Sequence, residues 1–79
     1  MTVKVLLFAS YAEALGASCV DVDLPAGSTV SDLVQALRAR GGSMLPATPL
    51  VAVNEAYARP HDIIGPSDEV AVIPPVAGG

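Results

Sequence analysis

A single stretch of this chain has the pattern of a well-formed amphipathic helix. Its apolar residues recur at intervals of three and four positions, which places them on one helix face: Val30, Leu33, Val34 and Leu37. Thr29 stands immediately before them and is a preferred N-cap residue. Because one such helix can cover only one face of a sheet, the remaining elements are expected to form a sheet that packs against it.

Short strand patterns lie on both sides of this helix. Residues 3–8 are almost continuously apolar, residues 18–24 alternate between apolar and acidic, and residues 50–53 are apolar throughout. A short return strand is predicted at residues 57–59 and a last strand at residues 69–73. We expect the first and last strands, the most apolar of the set, to be adjacent in the centre of the sheet.

A second, shorter helix is predicted between the first two strands. Ser10 and Glu13 have the spacing of a capping box, and Gly16 suits the left-handed position at a helix end. The order strand, short helix, strand, long helix and three further strands indicates an α+β protein. The expected fold class is the ubiquitin-like β-grasp, a mixed sheet of about five strands packed on one main helix.

Length and charge limit the possible functions. A chain of 79 residues is long enough for one small domain, which we assign to residues 1–79. Eight acidic against four basic residues give a net charge of −4, which argues against binding to nucleic acid or to an anionic membrane surface. No apolar run is long enough to cross a bilayer, and the first residues lack a signal-peptide pattern, so we expect a cytoplasmic protein.

The apolar content exceeds what a domain of this size can bury. Hydrophobic residues make up 52% of the chain and charged residues only 15%, against about 25% charged residues in a typical protein. We therefore expect an exposed apolar patch that binds a partner protein. Its predicted members lie near the end of the last strand: Phe8, Leu50, Ile73 and Val76.

The residues that most often carry chemistry do not form a catalytic or metal-binding cluster. Cys19 has no neighbouring cation that would activate its thiol, so we expect a buried or half-buried structural cysteine. His61 is the only histidine, and we expect it at the surface with no metal bound. A solvent-facing strand and a turn explain the acidic pairs, Asp21 with Asp23 and Asp68 with Glu69.

The C-terminal residues carry the most specific signal. Pro74 and Pro75 cannot continue a sheet ladder or a helix, so they end the fold and begin an extended arm, residues 74–79. Six extended residues reach about 20 Å. The arm ends in two residues without a Cβ, which suits a chain end that threads a narrow channel. It comprises Pro74, Pro75, Val76, Ala77, Gly78 and Gly79, and its functional group would be the α-carboxylate of Gly79.

Residues 68–79 read Asp-Glu-Val-Ala-Val-Ile-Pro-Pro-Val-Ala-Gly-Gly. This run resembles the ending of the MoaD/ThiS family of sulfur carriers, in particular that of the MoaD-type small subunit of molybdopterin synthase, with its Pro-Pro-Val-x-Gly-Gly terminus. Residues 3–9 and 51–54 are similar to the first and middle strands of that family. The short helix departs from the family pattern, which often has a basic residue where this chain has none.

The resemblance implies a sulfur-carrier mechanism centred on Gly79. A separate E1-like enzyme would adenylate its carboxylate with ATP, and sulfur from a persulfide would convert it to a thiocarboxylate. The arm would then enter the large, catalytic subunit of molybdopterin synthase, where two carriers supply the dithiolene sulfurs of molybdopterin during molybdenum cofactor biosynthesis. The implied partners are this large subunit, in a heterotetramer of two small and two large subunits, the adenylating enzyme and a sulfur donor protein. The chain itself would bind no cofactor and would not be catalytic.

Other functions stay open at this point. A carrier of the same type could serve thiamine, cysteine or tRNA thiolation instead of molybdopterin. A ubiquitin-like domain could also act as a protein modifier, joined to lysine side chains through Gly79. A free-standing enzyme is the weakest alternative, because the sequence offers no convergent group of histidine, cysteine and carboxylate residues.

Overall fold

The computed structural model describes residues 1–41, 45–46 and 49–74. Within them, two helices and five strands follow one another in the predicted order. The elements are β1 (Thr2–Leu7), α1 (Ala9–Leu15), β2 (Cys19–Asp23), α2 (Val30–Ala39), β3 (Leu50–Val53), β4 (Ala56–Ala58) and β5 (Glu69–Ile73). No helix of this described part is long and apolar enough to cross a membrane.

The five strands form one mixed sheet in the order β2-β1-β5-β3-β4. β1 and β5 are neighbours and run parallel, with Val5 opposite Val70. The other pairs in the sheet are antiparallel. The predicted adjacency of the first and last strands is confirmed, and β5 takes the central position between β1 and β3.

α2 supplies the helical side of the hydrophobic core. Each residue of its predicted apolar stripe is at most 3% exposed, as the periodicity requires: Val30, Leu33, Val34 and Leu37. The sheet contributes one face of its strands to the same cluster, namely Val3, Val5, Leu7, Val22, Val51, Val70 and Val72. The expected β-grasp fold, in which a mixed sheet packs on one main helix, is confirmed.

The start of α2 is a capping box. The hydroxyl of Thr29 accepts a hydrogen bond from the backbone N–H of Asp32 at 3.3 Å, and the carboxylate of Asp32 accepts one from the backbone N–H of Thr29 at 3.0 Å. The two residues thus satisfy N–H groups that have no partner inside the helix. The predicted N-cap is therefore confirmed, with a reciprocal bond from Asp32 added.

The predicted capping box of α1 is wrong. α1 begins at Ala9, with Phe8 as its N-cap residue and no side-chain capping bond, so Ser10 lies inside the helix. The helix follows β1 at once, and this register buries Tyr11, which is 4% exposed in the core. Its end matches the prediction, because Gly16 takes a left-handed conformation with a φ of 74°.

Candidate functional site

The face of the sheet opposite α2 carries no helix or loop from the described residues, and we call it the open face. Its strand residues alternate with those of the core, as in β5, where Val70 and Val72 are buried while Glu69, Ala71 and Ile73 are exposed or half-buried. Two further members, Phe8 and Glu55, line the same groove as these strand residues. The remaining members, as the strand register places them, are Thr2, Lys4, Leu6, Cys19, Asp21, Asp23, Leu50, Ala52 and Tyr57.

The apolar end of the open face lies where the chain leaves the sheet. Leu50 is the cross-strand partner of Ile73, and Phe8 lines the same shallow groove as Ile73. Phe8, directly after β1, is 46% exposed, and Leu50, the first residue of β3, is 44% exposed, so two large apolar side chains face solvent at this end. Of the three residues predicted to form a partner interface, Phe8 and Leu50 are exposed and Ile73 is half-buried, and all three lie around one point directly before Pro74.

The middle of the open face is a row of small and apolar side chains. The register aligns one residue from each strand across the sheet: Cys19, Leu6, Ala71, Ala52 and Tyr57. The small side chains of Ala71 and Ala52 in the centre of the row form the floor of a shallow groove, and the larger Phe8 and Tyr57 line its sides. A groove of this shape suits contact with a protein surface more than enclosure of a small molecule.

The expected burial of Cys19 is wrong, because its side chain is exposed. Cys19 begins β2, an outer strand of the sheet, and it is in phase with Asp21 and Asp23 on the open face. The alternation that placed the two aspartates toward solvent therefore applies to the cysteine as well. The solvent-facing prediction for the aspartates is confirmed.

The opposite end of the open face is charged. Lys4 is aligned with Asp21 on one side and with Glu69 on the other, and all three are exposed. Glu55, from the turn between β3 and β4, lines the groove together with Glu69. The open face thus changes along the strands from apolar, where the chain leaves the sheet, to mainly acidic at the far end.

A hydrogen-bonded clamp supports this charged end. Asn54 and Glu55 form the predicted turn with φ values of 51° and 70°, and the side chain of Asn54 reaches across to β5. Its Oδ1 accepts from the backbone N–H of Glu69 at 3.0 Å, and its Nδ2 donates to Asp68 at 2.9 Å. Asp68 also accepts from the backbone N–H of Gly65 at 2.7 Å. The sequence held no signal for this clamp, because its partners lie in separate segments.

The clamp favours the charged form of Asp68. The pKa of Asp68 is lowered chiefly by the hydrogen bond from the Gly65 backbone and secondly by the one from Asn54, against a small opposing effect of burial. The carboxylate therefore adds a fixed negative charge beside Glu69. Its hydrogen bonds stabilise the turn before β5, which is the role that the sequence predicted for Asp68.

The groups that carry chemistry in other proteins stay apart in this one. His61 is exposed in the loop between β4 and β5, far along the chain from Cys19 on β2. Within the described segments, no three histidine, cysteine or carboxylate residues lie close enough together to hold a metal ion. Of the predicted arm, Pro74 is half-buried, while Pro75, Val76, Ala77, Gly78 and Gly79 lie outside the described residues.

Comparisons with known proteins extend over the sheet and the arm alike. The model of the ThiS family matches residues 5–79. The molybdopterin synthase sulfur carrier subunit of Dictyostelium discoideum is 40% identical, over 96% of this chain and 94% of that protein. The subunit of the same name from Arabidopsis thaliana is 34% identical, over 98% of this chain and 82% of that protein. The crystal structure of SAMP1 from Haloferax volcanii has a TM-score of 0.85 and 29% identity, with both chains covered completely.

Proposed function

The chain belongs to the ThiS family, and from that membership we propose that it is the sulfur carrier subunit of a molybdopterin synthase. The observation that carries this proposal is the 40% identity to a sulfur carrier subunit over nearly the full length of both proteins. The ending Pro74 to Gly79 supports it, because the family match extends through these residues. The resemblance predicted from residues 68–79 is confirmed at the level of the family.

The chemistry that we propose takes place at the α-carboxylate of Gly79. A carboxylate is a poor acyl donor, so it first attacks the α-phosphate of ATP on a separate adenylating enzyme and releases pyrophosphate. The sulfur of a donor protein's persulfide then displaces AMP, and a thiol reduces the resulting acyl disulfide to the thiocarboxylate. In the large subunit this sulfur passes to the molybdopterin precursor, and Gly79 returns to a carboxylate.

The properties of the described residues suit a carrier better than an enzyme. The open face presents an apolar end with Phe8, Leu50 and Ile73, and the chain leaves the sheet beside them. A partner that covers this end would receive the arm directly, because the arm begins at Pro74. We therefore propose that the chain supplies the docking surface, the reach and the sulfur, while catalytic groups and ATP belong to the partners.

The partners in this proposal are the large subunit of molybdopterin synthase, an E1-like adenylating enzyme and a sulfur donor protein. Two carriers and two large subunits would form the complete synthase, and each molybdopterin would receive its two sulfur atoms from two carrier molecules. A cytoplasmic location, predicted from the sequence, belongs to the same proposal.

A second candidate function is that of a ubiquitin-like protein modifier. It is favoured by the likeness to SAMP1, whose name stands for small archaeal modifier protein 1, at a TM-score of 0.85. The two functions would share the adenylated Gly79 and differ in the next step. A modifier would form an amide with a lysine of a target protein, whereas a carrier keeps the sulfur at its own end.

Intact-mass spectrometry of the purified chain separates these possibilities. With the adenylating enzyme, ATP and a sulfur donor, the carrier should gain mass equal to the exchange of one oxygen for sulfur, located in the C-terminal peptide. Deletion of Gly79 should abolish this gain and molybdopterin formation, while thermal unfolding stays that of the parent protein because β5 is intact. Appearance of the chain in amide linkage to lysines, with no thiocarboxylate, would establish the modifier instead. Full molybdopterin formation by the shortened chain would refute the sulfur-carrier function at Gly79.

A further inference from the structure

We propose that the protein seated on the open face presents cationic side chains to Glu55 and Glu69, which we call the acidic border, and that these contacts set its orientation. The inference rests on the proposed function, in which the occupant is the large subunit of the synthase. It goes further by naming which end of the face that subunit's basic groups contact. The argument uses the position, the charge and the surroundings of these two carboxylates.

The acidic border lies at a fixed distance from the apolar end. Glu69 and Ile73 are the first and last residues of β5 and lie on the same face of the sheet. At about 3.3 Å per residue they are roughly 13 Å apart along the strand. A partner that covers Phe8, Leu50 and Ile73 with an interface of ordinary size therefore extends over Glu69 as well.

The charge of the acidic border is not neutralised by an ion pair within the described part of the chain. The ion pair found there joins Arg59 and Asp62, and neither residue belongs to the open face. Lys4 is the one cation among the described residues of that face, and it is aligned between Asp21 and Glu69. Four acidic side chains accompany it, namely Asp21, Asp23, Glu55 and Glu69, so the face has an excess of negative charge.

Glu55 and Glu69 differ from the other acids in where they lie. Both line the groove, whereas Asp21 and Asp23 are on the outer strand β2. There the guanidinium of Arg40 donates to the backbone oxygen of Asp21 at 2.6 Å, and the hydroxyl of Thr2 donates to Asp23 at 2.6 Å. The carboxylates that a partner in the groove would remove from water are thus those of the acidic border.

A docked partner must compensate these two charges. Carboxylates that lose water at an interface without a counter-charge weaken binding, so a neutral or acidic surface is rejected and a basic one is accepted. Because the apolar and acidic ends lie at opposite ends of the strands, a partner rotated by half a turn would place its cations on Phe8 and Ile73. The acidic border therefore fixes one orientation, the one in which the arm enters the partner from a defined side.

The experiment measures the dissociation constant for the large subunit encoded by the same organism, as a function of NaCl concentration. Glu55→Gln and Glu69→Gln variants, singly and together, keep the shape of the face and remove its charge. Glu13→Gln is the matched control, because Glu13 is exposed on α1 and its carboxylate makes no hydrogen bond or ion pair with the described residues. All variants are first compared with the parent protein in thermal unfolding.

The double variant should bind roughly fivefold to tenfold more weakly than the parent at low salt, and the difference should shrink as NaCl screens the contacts. Its affinity should also depend less on salt, while Glu13→Gln behaves as the parent. Equal affinities of parent and double variant at low salt, with the large subunit bound, would overturn the acidic-border inference and leave the proposed function intact. If the parent does not bind the large subunit at any salt concentration, the proposed function fails and this inference fails with it.

Discussion

Replacement of Phe8 by aspartate removes the largest exposed side chain at the apolar end of the open face. The variant should fold, because Phe8 is the N-cap residue of α1 with φ and ψ of −128° and 149° and no side-chain capping bond. Aspartate is a preferred N-cap residue and can accept from the free N–H groups of the first turn. The new cap offsets only part of the apolar burial that is lost, because the 54% of Phe8 that is already covered corresponds to about 110 Å², or about 2.5 kcal/mol at about 25 cal/mol per Å². We therefore expect a folded variant with a thermal unfolding temperature about 10 °C below that of the parent protein.

The loss of affinity for the large subunit follows from the exposed area. A phenylalanine side chain presents about 200 Å², and 46% of Phe8 is still exposed. Burial of the remaining area of about 90 Å² at about 25 cal/mol per Å² corresponds to about 2 kcal/mol, or roughly 30-fold in Kd. Aspartate forfeits this contribution and adds the cost of removing a carboxylate from water. The expected effect of Phe8→Asp is therefore a loss of at least roughly 30-fold.

The assay is titration of the large subunit by calorimetry, with Ile63→Asp as the control. Ile63 is 70% exposed and pairs with Thr29 at the start of α2, and it lies beside Tyr57 on the outer strand β4 rather than at the apolar end of the open face. It should therefore lose little affinity on the same change of side chain. A folded Phe8→Asp protein that binds as tightly as the parent, or an equal loss in the Ile63→Asp variant, would refute the assignment of the open face as the docking surface.

The remaining predictions concern the clamp and the two side chains that a search for reactive groups would single out. Asn54→Ala should lower the unfolding temperature by about 10 °C, because alanine tolerates a positive φ poorly and cannot accept the hydrogen bond from the Glu69 N–H; together these effects cost about 2 kcal/mol. Asn54→Gly removes the hydrogen bond without the backbone strain, so its unfolding temperature should lie between those of the parent and Asn54→Ala. An unchanged melting curve for Asn54→Ala would contradict this account. A Cys19→Ser, His61→Ala double variant should form thiocarboxylate with the same yield per folded molecule, measured by intact mass under reducing conditions. Sulfur located on Cys19 as a persulfide in the parent would show that the proposed chemistry is wrong.

The sequence predicted those parts of the fold that depend on local periodicity. The spacing of the apolar residues from Val30 to Leu37 fits a helix with one buried face. The alternation of apolar and acidic residues in β2 fits a strand with one face toward solvent. The central pairing of β1 with β5 could be predicted as well, because interior strands need apolar residues more continuously than outer ones. The exposure of Phe8 and Leu50 beside the half-buried Ile73 could be expected from the excess apolar content rather than from any motif.

The errors arose where a local signal competed with the tertiary structure. Ser10 and Glu13 have the spacing of a capping box, yet the burial of Tyr11 determines where α1 begins. The burial predicted for Cys19 relied on the general tendency of free cysteines to be buried. Its alternation in phase with Asp21 along β2 instead places it on the open face. The clamp between Asn54 and Asp68 joins segments that only the folded sheet brings together, and no spacing in the chain predicts it.

The central position of β5 has a consequence for the order of folding. β1 with β2 and β3 with β4 can pair locally, but among the described residues these two halves of the sheet meet only through β5, the last of the five strands. Closure of the sheet therefore waits for contacts of large sequence separation, which makes it a slow step of folding. The residues that follow Pro74 are attached to the strand that completes the structure. Under the proposed function, an adenylating enzyme that contacts both the open face and the arm would act on molecules with a closed sheet and not on incompletely folded ones.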